Sequence, residues 1–174
     1  MNRLTTLSAA FHSSLVVVPS RSLALSEMRG ANVIFLGSPW GNGELSKLGA
    51  DAAPMYVNDH GAIMIRDDAG VERESYRSIK DAATQEITAS FSLFSVLPGM
   101  EGGKIVSSAG LCTWATWAGV DFATTPSGVA QIEEALRLSN GGKLPAYYQA
   151  VIRTRIVNGI ASGPSLVTTR RIGS

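Results

Sequence analysis

Two short loops hold the residues of this chain best suited to bind a ligand. Residues 37–43 read Gly-Ser-Pro-Trp-Gly-Asn-Gly, and residues 107–113 read Ser-Ser-Ala-Gly-Leu-Cys-Thr. Glycines at 37, 41 and 43 permit positive φ and close approach of the backbone to a ligand. Ser38 and Asn42 add short polar groups. In the second loop Ser108 and Thr113 offer hydroxyls, and Gly110 leaves room for an anion. A helix starting there would aim its amide N–H groups and positive dipole end at the same crevice. The chemistry is recognition of a small anion. Neither loop is a Walker loop, since no Gly-Lys-Ser/Thr follows, and neither has GxGxxG spacing. A structural alternative stands beside each. Asn42 would cap a helical turn at 44–48, and the second loop would serve only close packing of its helix through Ala115, Ala118, Gly119 and Ala123. If the ligand reading holds, Gly110→Val weakens binding more than stability.

The other reactive residue types point away from catalysis. Cys112 sits at a predicted helix start, where a thiol pKa falls. A nucleophile also needs a base, and the two histidines, His12 and His60, lie in no cysteine-hydrolase pattern. Cys112 therefore reads as a buried thiol. No Gly-x-Ser-x-Gly elbow occurs. Asp59 and His60 would make two metal ligands in a turn, too few for a site. No catalytic residue, metal ligand or cofactor is assigned. Trp114 and Trp117 share a helix face and read as core or interface.

A chain of 174 residues makes one domain over 1–174 with a core of useful size. With 45% hydrophobic and 17% charged residues the chain is globular. A net charge of +1 lacks the concentrated basic face that nucleic acid requires. Arg153, Arg155, Arg170 and Arg171 read as solvated strand ends. One cysteine excludes an internal disulfide and favours a reducing, cytoplasmic location. The apolar stretch 4–18 is broken by serines, threonines and His12, unlike a secretory core. No apolar run reaches the ~20 residues of a membrane span.

The elements that must position the loops follow from periodicity. Helices are expected at 2–11, 22–29, 112–123 and 126–138, the last with Thr125 as N-cap and Pro126 at its first position. Strands are expected at 15–18, 32–36, 87–97 (with a bulge near 94), 104–108, 147–157 and 165–171. Residues 54–76 read as short strands around the turn 67–70, and 158–164 as the closing turn. The continuous apolar runs 32–36 and 104–108 imply parallel strands covered on both faces. The expected architecture is α/β: a Rossmann-like, partly parallel sheet with helices on both faces and added antiparallel hairpins.

The order of these motifs carries a resemblance. Residues 32–39 (NVIFLGSP) with Asn42, then FSVLPG at 94–99, KIVSSAGL at 104–111, and the hairpin at 147–170 are similar to an uncharacterised α/β module. That module lies at the C-terminus of some bacterial regulatory proteins that carry a winged-helix region upstream. The resemblance implies a ligand-sensing or regulatory role. Three function classes follow. The first is a binding or sensor module for a small anionic ligand at Gly37, Ser38, Asn42, Ser108, Gly110 and Thr113. The second is a structural domain forming a homo-oligomer through the Trp-bearing helix or the hairpin edge. The third is a hydrolase or transferase using the same crevice.

Overall fold

Residues 87–98 and 148–157 are long runs in which apolar side chains occupy both strand faces, a pattern that requires cover on two sides. The computed structural model describes residues 19, 23–38, 53–67 and 69–173. The helix expected at 2–11, the strand at 15–18 and the helical turn at 44–48 lie outside them. The chain forms β1 (Val33–Leu36), β2 (Met55–Val57), β3 (Ala62–Arg66), β4 (Glu72–Arg77), β5 (Ile79–Lys80), β6 (Ile87–Pro98) and β7 (Lys104–Gly110). Helices α1 (Thr113–Ala123) and α2 (Pro126–Ser139) follow, then β8 (Tyr148–Val157) and β9 (Ile160–Arg171). The main sheet has the order β1-β7-β6-β8-β9, with β5 also paired to β6. Strands β2-β3-β4 form a second, antiparallel sheet.

The expected pairing of β1 with β7 is found, in parallel, with Val33 opposite Ile105 and Leu36 opposite Ser108. Every other pairing in the main sheet is antiparallel. Phe91, Leu93, Ala109 and Val151 point to one face and pack on Met55, Val57, Ile63 and Ile65 of the small sheet. Ala150 and Ile152 point to the other face and meet Phe122, Ile132 and Leu136 of the helices. The layers are therefore helices, mixed sheet and small antiparallel sheet.

This corrects the Rossmann-like expectation of helices on both faces. Residues 55–77 make a local meander whose own apolar side covers the second face, so no helix is needed there. After α2 the chain enters β8, which lies beyond β6 and pairs antiparallel with it, so β1 and β7 are the only directly paired parallel neighbours among the described strands of this sheet. Two smaller readings change with it. Ile34 and Leu36 remain 42% and 45% exposed, so the apolar run in β1 does not mark two covered faces. The bulge near 94 is absent: β6 pairs with β7 in unbroken register from Ser92 to Pro98. Leu93 and Phe94 are both apolar because each face has its own cover.

Local rules explain the helix ends and the hairpin. The Thr125 hydroxyl accepts the Gly128 N–H at 3.2 Å and caps α2, as its sequence implies. The closing turn is shorter than expected. Asn158 and Gly159 take φ of 51° and 70°, the two positive values that a tight hairpin turn requires, and β9 resumes at Ile160.

Gln149 ties the two sheets together. It is fully buried on β8. Its Oε1 accepts the Met55 N–H at 2.8 Å, and its Nε2 donates to the Met55 carbonyl at 2.8 Å and to Ser95 Oγ at 3.1 Å. The carboxamide thus supplies β2 with the pairing that a neighbouring strand would give.

Helix α1 rides close to the sheet because Ala115, Ala118 and Gly119 face it. A Cβ at Gly119 would stand 2.3 Å from Ser92 Oγ and 2.7 Å from Ser108 Oγ. Ser92 Oγ is buried there without a hydrogen-bond partner. Since an unpaired buried hydroxyl is unfavourable, Ser92→Ala is expected to stabilise the protein by up to about 1 kcal/mol. The urea midpoint reads this directly, and a clear fall in midpoint would show that the hydroxyl has a partner.

Tyr148 gives a pH dependence. Burial, with a smaller contribution from the negative charge of Glu133, raises its phenol above the ordinary value of 10.0. Above that value the unfolded chain releases a proton that the folded chain retains, so stability falls as pH rises. Below it the two states hold the same proton and this contribution is flat. Unfolding curves taken on either side of pH 10 should show the decline in the wild type and a shallower one in Tyr148→Phe. Equal slopes would rule out this residue as the cause.

Candidate functional site

The parallel pairing brings Gly37 and Ser38, the described start of the first predicted loop, to the sheet edge where β7 ends. The Gly37 N–H donates to the Ser108 carbonyl at 3.0 Å, and Gly37 takes φ of 112°. Ser38 follows it, half-buried. Thr113 is exposed as the first residue of α1. Asn42 lies outside the described residues. Cys112 is the α1 N-cap, makes no side-chain cap hydrogen bond, and no acidic residue occupies the first turn. The first amides of α1 therefore keep the polarity that attracts an anion.

The same edge is more filled than the sequence implies. Gly110 is the last residue of β7 and does not sit in a loop. Its N–H donates to Thr116 Oγ1 at 3.1 Å, and Ser108 Oγ donates to the Thr116 carbonyl at 3.2 Å. A Cβ at Gly110 would stand 2.2 Å from the Thr116 nitrogen and 2.7 Å from the Cys112 carbonyl oxygen. The space left by the missing side chain is occupied by the first turn of α1. Ser108 and Gly110 thus seat the helix, while Gly37, Ser38 and Thr113 stay near the rim.

A second feature emerges between α1 and the β8–β9 hairpin. Trp114, Trp117 and Asp121 of α1 face Ile160 and Pro164 of β9 across a cleft of about 220 Å³. Trp114 is 46% exposed and Trp117 67% exposed. Ile160, at 65%, lies immediately after the tight turn. The helical repeat places the indoles one turn apart on one side of α1, while Ala115, Ala118, Gly119 and Phe122 are the residues of α1 that become buried. Sequence reading identified the tryptophan pair and overlooked its groove. The signal was present: the small residues mark the sheet-facing side, so the indoles must point away from it. The opposing wall came from the hairpin and was not readable.

The remaining titratable clusters are local. His60 and Asp59 are exposed in the β2–β3 turn, where Asn58 Oδ1 accepts the His60 and Ala62 N–H groups. The Asp67 carboxyl is held below its ordinary value by Arg73 and by the Val71 N–H, which fixes the β3–β4 turn. The Asp81 carboxyl is lowered by the N–H groups of Thr84 and Ala83. Among the described residues no group of three or more His, Cys, Asp or Glu is placed to hold a metal. No helix among them is long and apolar enough to cross a membrane.

No family model, curated protein or solved structure matches this chain.

Proposed function

We propose that this chain is a binding module of a regulatory kind, and that its recognition surface is the cleft between α1 and the terminal hairpin. The single observation that carries this is the pair of exposed tryptophans, 114 and 117, lining a concave space opposite Ile160 and Pro164. Large apolar side chains are unfavourable in water, and tryptophan contributes strongly when a partner covers it. The regulatory setting is what the resemblance of the motif order implies. A cytoplasmic location belongs to the same proposal and rests on the lone cysteine.

Native mass spectrometry of the purified protein tests the reading. Bound species should be carried by the wild type and lost from the Trp114→Ala/Trp117→Ala double variant. The variant should stay folded, with stability changed by about 0.5 kcal/mol per exposed site. A ligand still carried by the double variant would place recognition elsewhere.

A second reading has its own support. A small anion would bind at the sheet edge near Gly37, Ser38 and Thr113, because the first turn of α1 has neither a side-chain cap nor an acidic residue. Retention of an anionic species by the double variant, with loss in Thr113→Glu, would favour this site. A homo-oligomer formed through the cleft is the third arrangement. It would appear in sedimentation as a concentration-dependent dimer abolished by the same two tryptophan changes.

A further inference from the structure

We propose that Asn158 is a modification site, at which the Gly159 backbone nitrogen displaces the side-chain amide and converts the hairpin tip to an aspartyl or isoaspartyl linkage. This goes beyond the cleft reading and does not depend on it. Asn-Gly pairs occur at 42–43, 140–141 and 158–159. Asparagine is a thermolabile side chain, and a following glycine has no Cβ to hinder ring closure. The first pair lies outside the described residues. The structure separates the other two. Asn140, at the end of α2, has a clasped carboxamide: its Nδ2 donates to the Lys143 carbonyl at 3.0 Å, and its Oδ1 accepts from Arg171 at 3.4 Å. The Gly142 N–H donates to the Arg137 carbonyl at 2.8 Å and holds the backbone around Gly141. Asn158 is exposed at the end of the β8–β9 hairpin, and among the described residues no side-chain hydrogen bond fixes it. A Cβ on Gly159 would meet nothing within 4 Å, so the tip is open beside the attacking nitrogen. Ring closure requires Asn158 to rotate out of its turn conformation, with φ of 51°. At the tip that rotation opens only the last pair of the hairpin, Val157 with Ile160.

The chemistry needs only water as co-reactant. The Gly159 nitrogen gives up its proton and bonds to Asn158 Cγ. The Cγ–Nδ2 bond breaks, and ammonia leaves with that proton. The resulting cyclic imide takes up water at either of its carbonyls. One opening gives aspartate. The other gives isoaspartate, in which the main chain runs through the former side chain and gains a methylene. Both products place a carboxylate between Val157 and Ile160, and the second lengthens a turn whose two residues set the register of β8 on β9. Ile160 begins β9 directly after the turn and walls the tryptophan cleft, so the modification acts on the cleft through that residue.

The test is to age the folded full chain at mildly alkaline pH and map its peptides by mass spectrometry, with aspartyl and isoaspartyl forms separated by chromatography. Asn158 should convert at least about tenfold faster than Asn140, because the Asn140 carboxamide must first break two hydrogen bonds. The same mapping on the chain unfolded in urea should bring the two rates together. Aged wild type should also show a changed tryptophan emission, from the displacement of Ile160. Asn158→Gly, which keeps a turn sequence that accepts positive φ, should age without that change. Conversion of Asn140 as fast as Asn158 in the folded protein would overturn the proposal. A preference for Asn158 that persists undiminished in urea would overturn its structural origin. The comparison of the two sites within the unaltered chain needs no variant, so a folding defect in Asn158→Gly cannot obscure the answer.

Discussion

Gly110→Ala is expected to unfold at a much lower urea concentration than the wild type, with a loss of about 3 kcal/mol or more. The added methyl group would sit 2.2 Å from the backbone nitrogen of Thr116, 2.6 Å from its Oγ1 and 2.7 Å from the Cys112 carbonyl oxygen. Two of these atoms are backbone in the first turn of α1 and its N-cap, so no side-chain rotation relieves the overlap. Helix α1 must lift from β7, which breaks the Gly110 N–H bond to Thr116 Oγ1 and loosens the contact with Ser92 and Ser108. Overpacking in a well-fitted core costs about 1–3 kcal/mol, and an immovable neighbour takes the value to the upper end. Gly110→Val should be worse. This reverses the expectation from the sequence, in which a bulky residue here affected binding more than stability. Thr113→Ala, three residues on and exposed, should change stability by only about 0.5 kcal/mol. If Gly110→Ala unfolds with the wild-type midpoint, the close seating of α1 is wrong.

Gln149→Leu is expected to destabilise the protein by about 3 kcal/mol although leucine is apolar and close in volume. The change strands the N–H and carbonyl of Met55, which is itself fully buried. Each buried backbone group left unpaired costs about 1–3 kcal/mol. The transfer gain from removing an amide is smaller, because the amide is fully hydrogen-bonded in the native state. The effect should be regional. Hydrogen exchange should show the β2–β3–β4 sheet losing protection first, while β6 and β8 stay protected by their own pairing. Gln149→Glu should also be harmful, since a carboxylate keeps the acceptor for the Met55 N–H but sets a second oxygen against the Met55 carbonyl. A wild-type midpoint for Gln149→Leu would mean that water or relaxation satisfies Met55, and the clamp would carry no stability.

The sequence by itself determined the elements whose rules are local. Thr125 and Pro126 announced the start of α2, because capping and a fixed φ depend on neighbouring residues alone. Asn158-Gly159 defined a turn, although its tightness was misjudged, since β9 resumes at Ile160. The runs at 32–36 and 104–108 were legible as strands, and their parallel pairing was expected from their apolar character and from the strand-to-helix turns after them. That Gly37 would lie beside Ser108 was legible for the same reason, since parallel neighbours end at one edge. Tertiary structure decided the rest. Residues 55–77 could have added hairpins to the main sheet. Instead their apolar side closes over Phe91, Leu93 and Val151, a choice set by which surfaces remain uncovered once α1 and α2 have taken the opposite face. Gly110 looked like space for a ligand and is space for Thr116, because an absent side chain does not say what will fill its place. The tryptophan cleft joins residues 114–121 to 160–164, and only the return of β9 beside β8 brings those two stretches together.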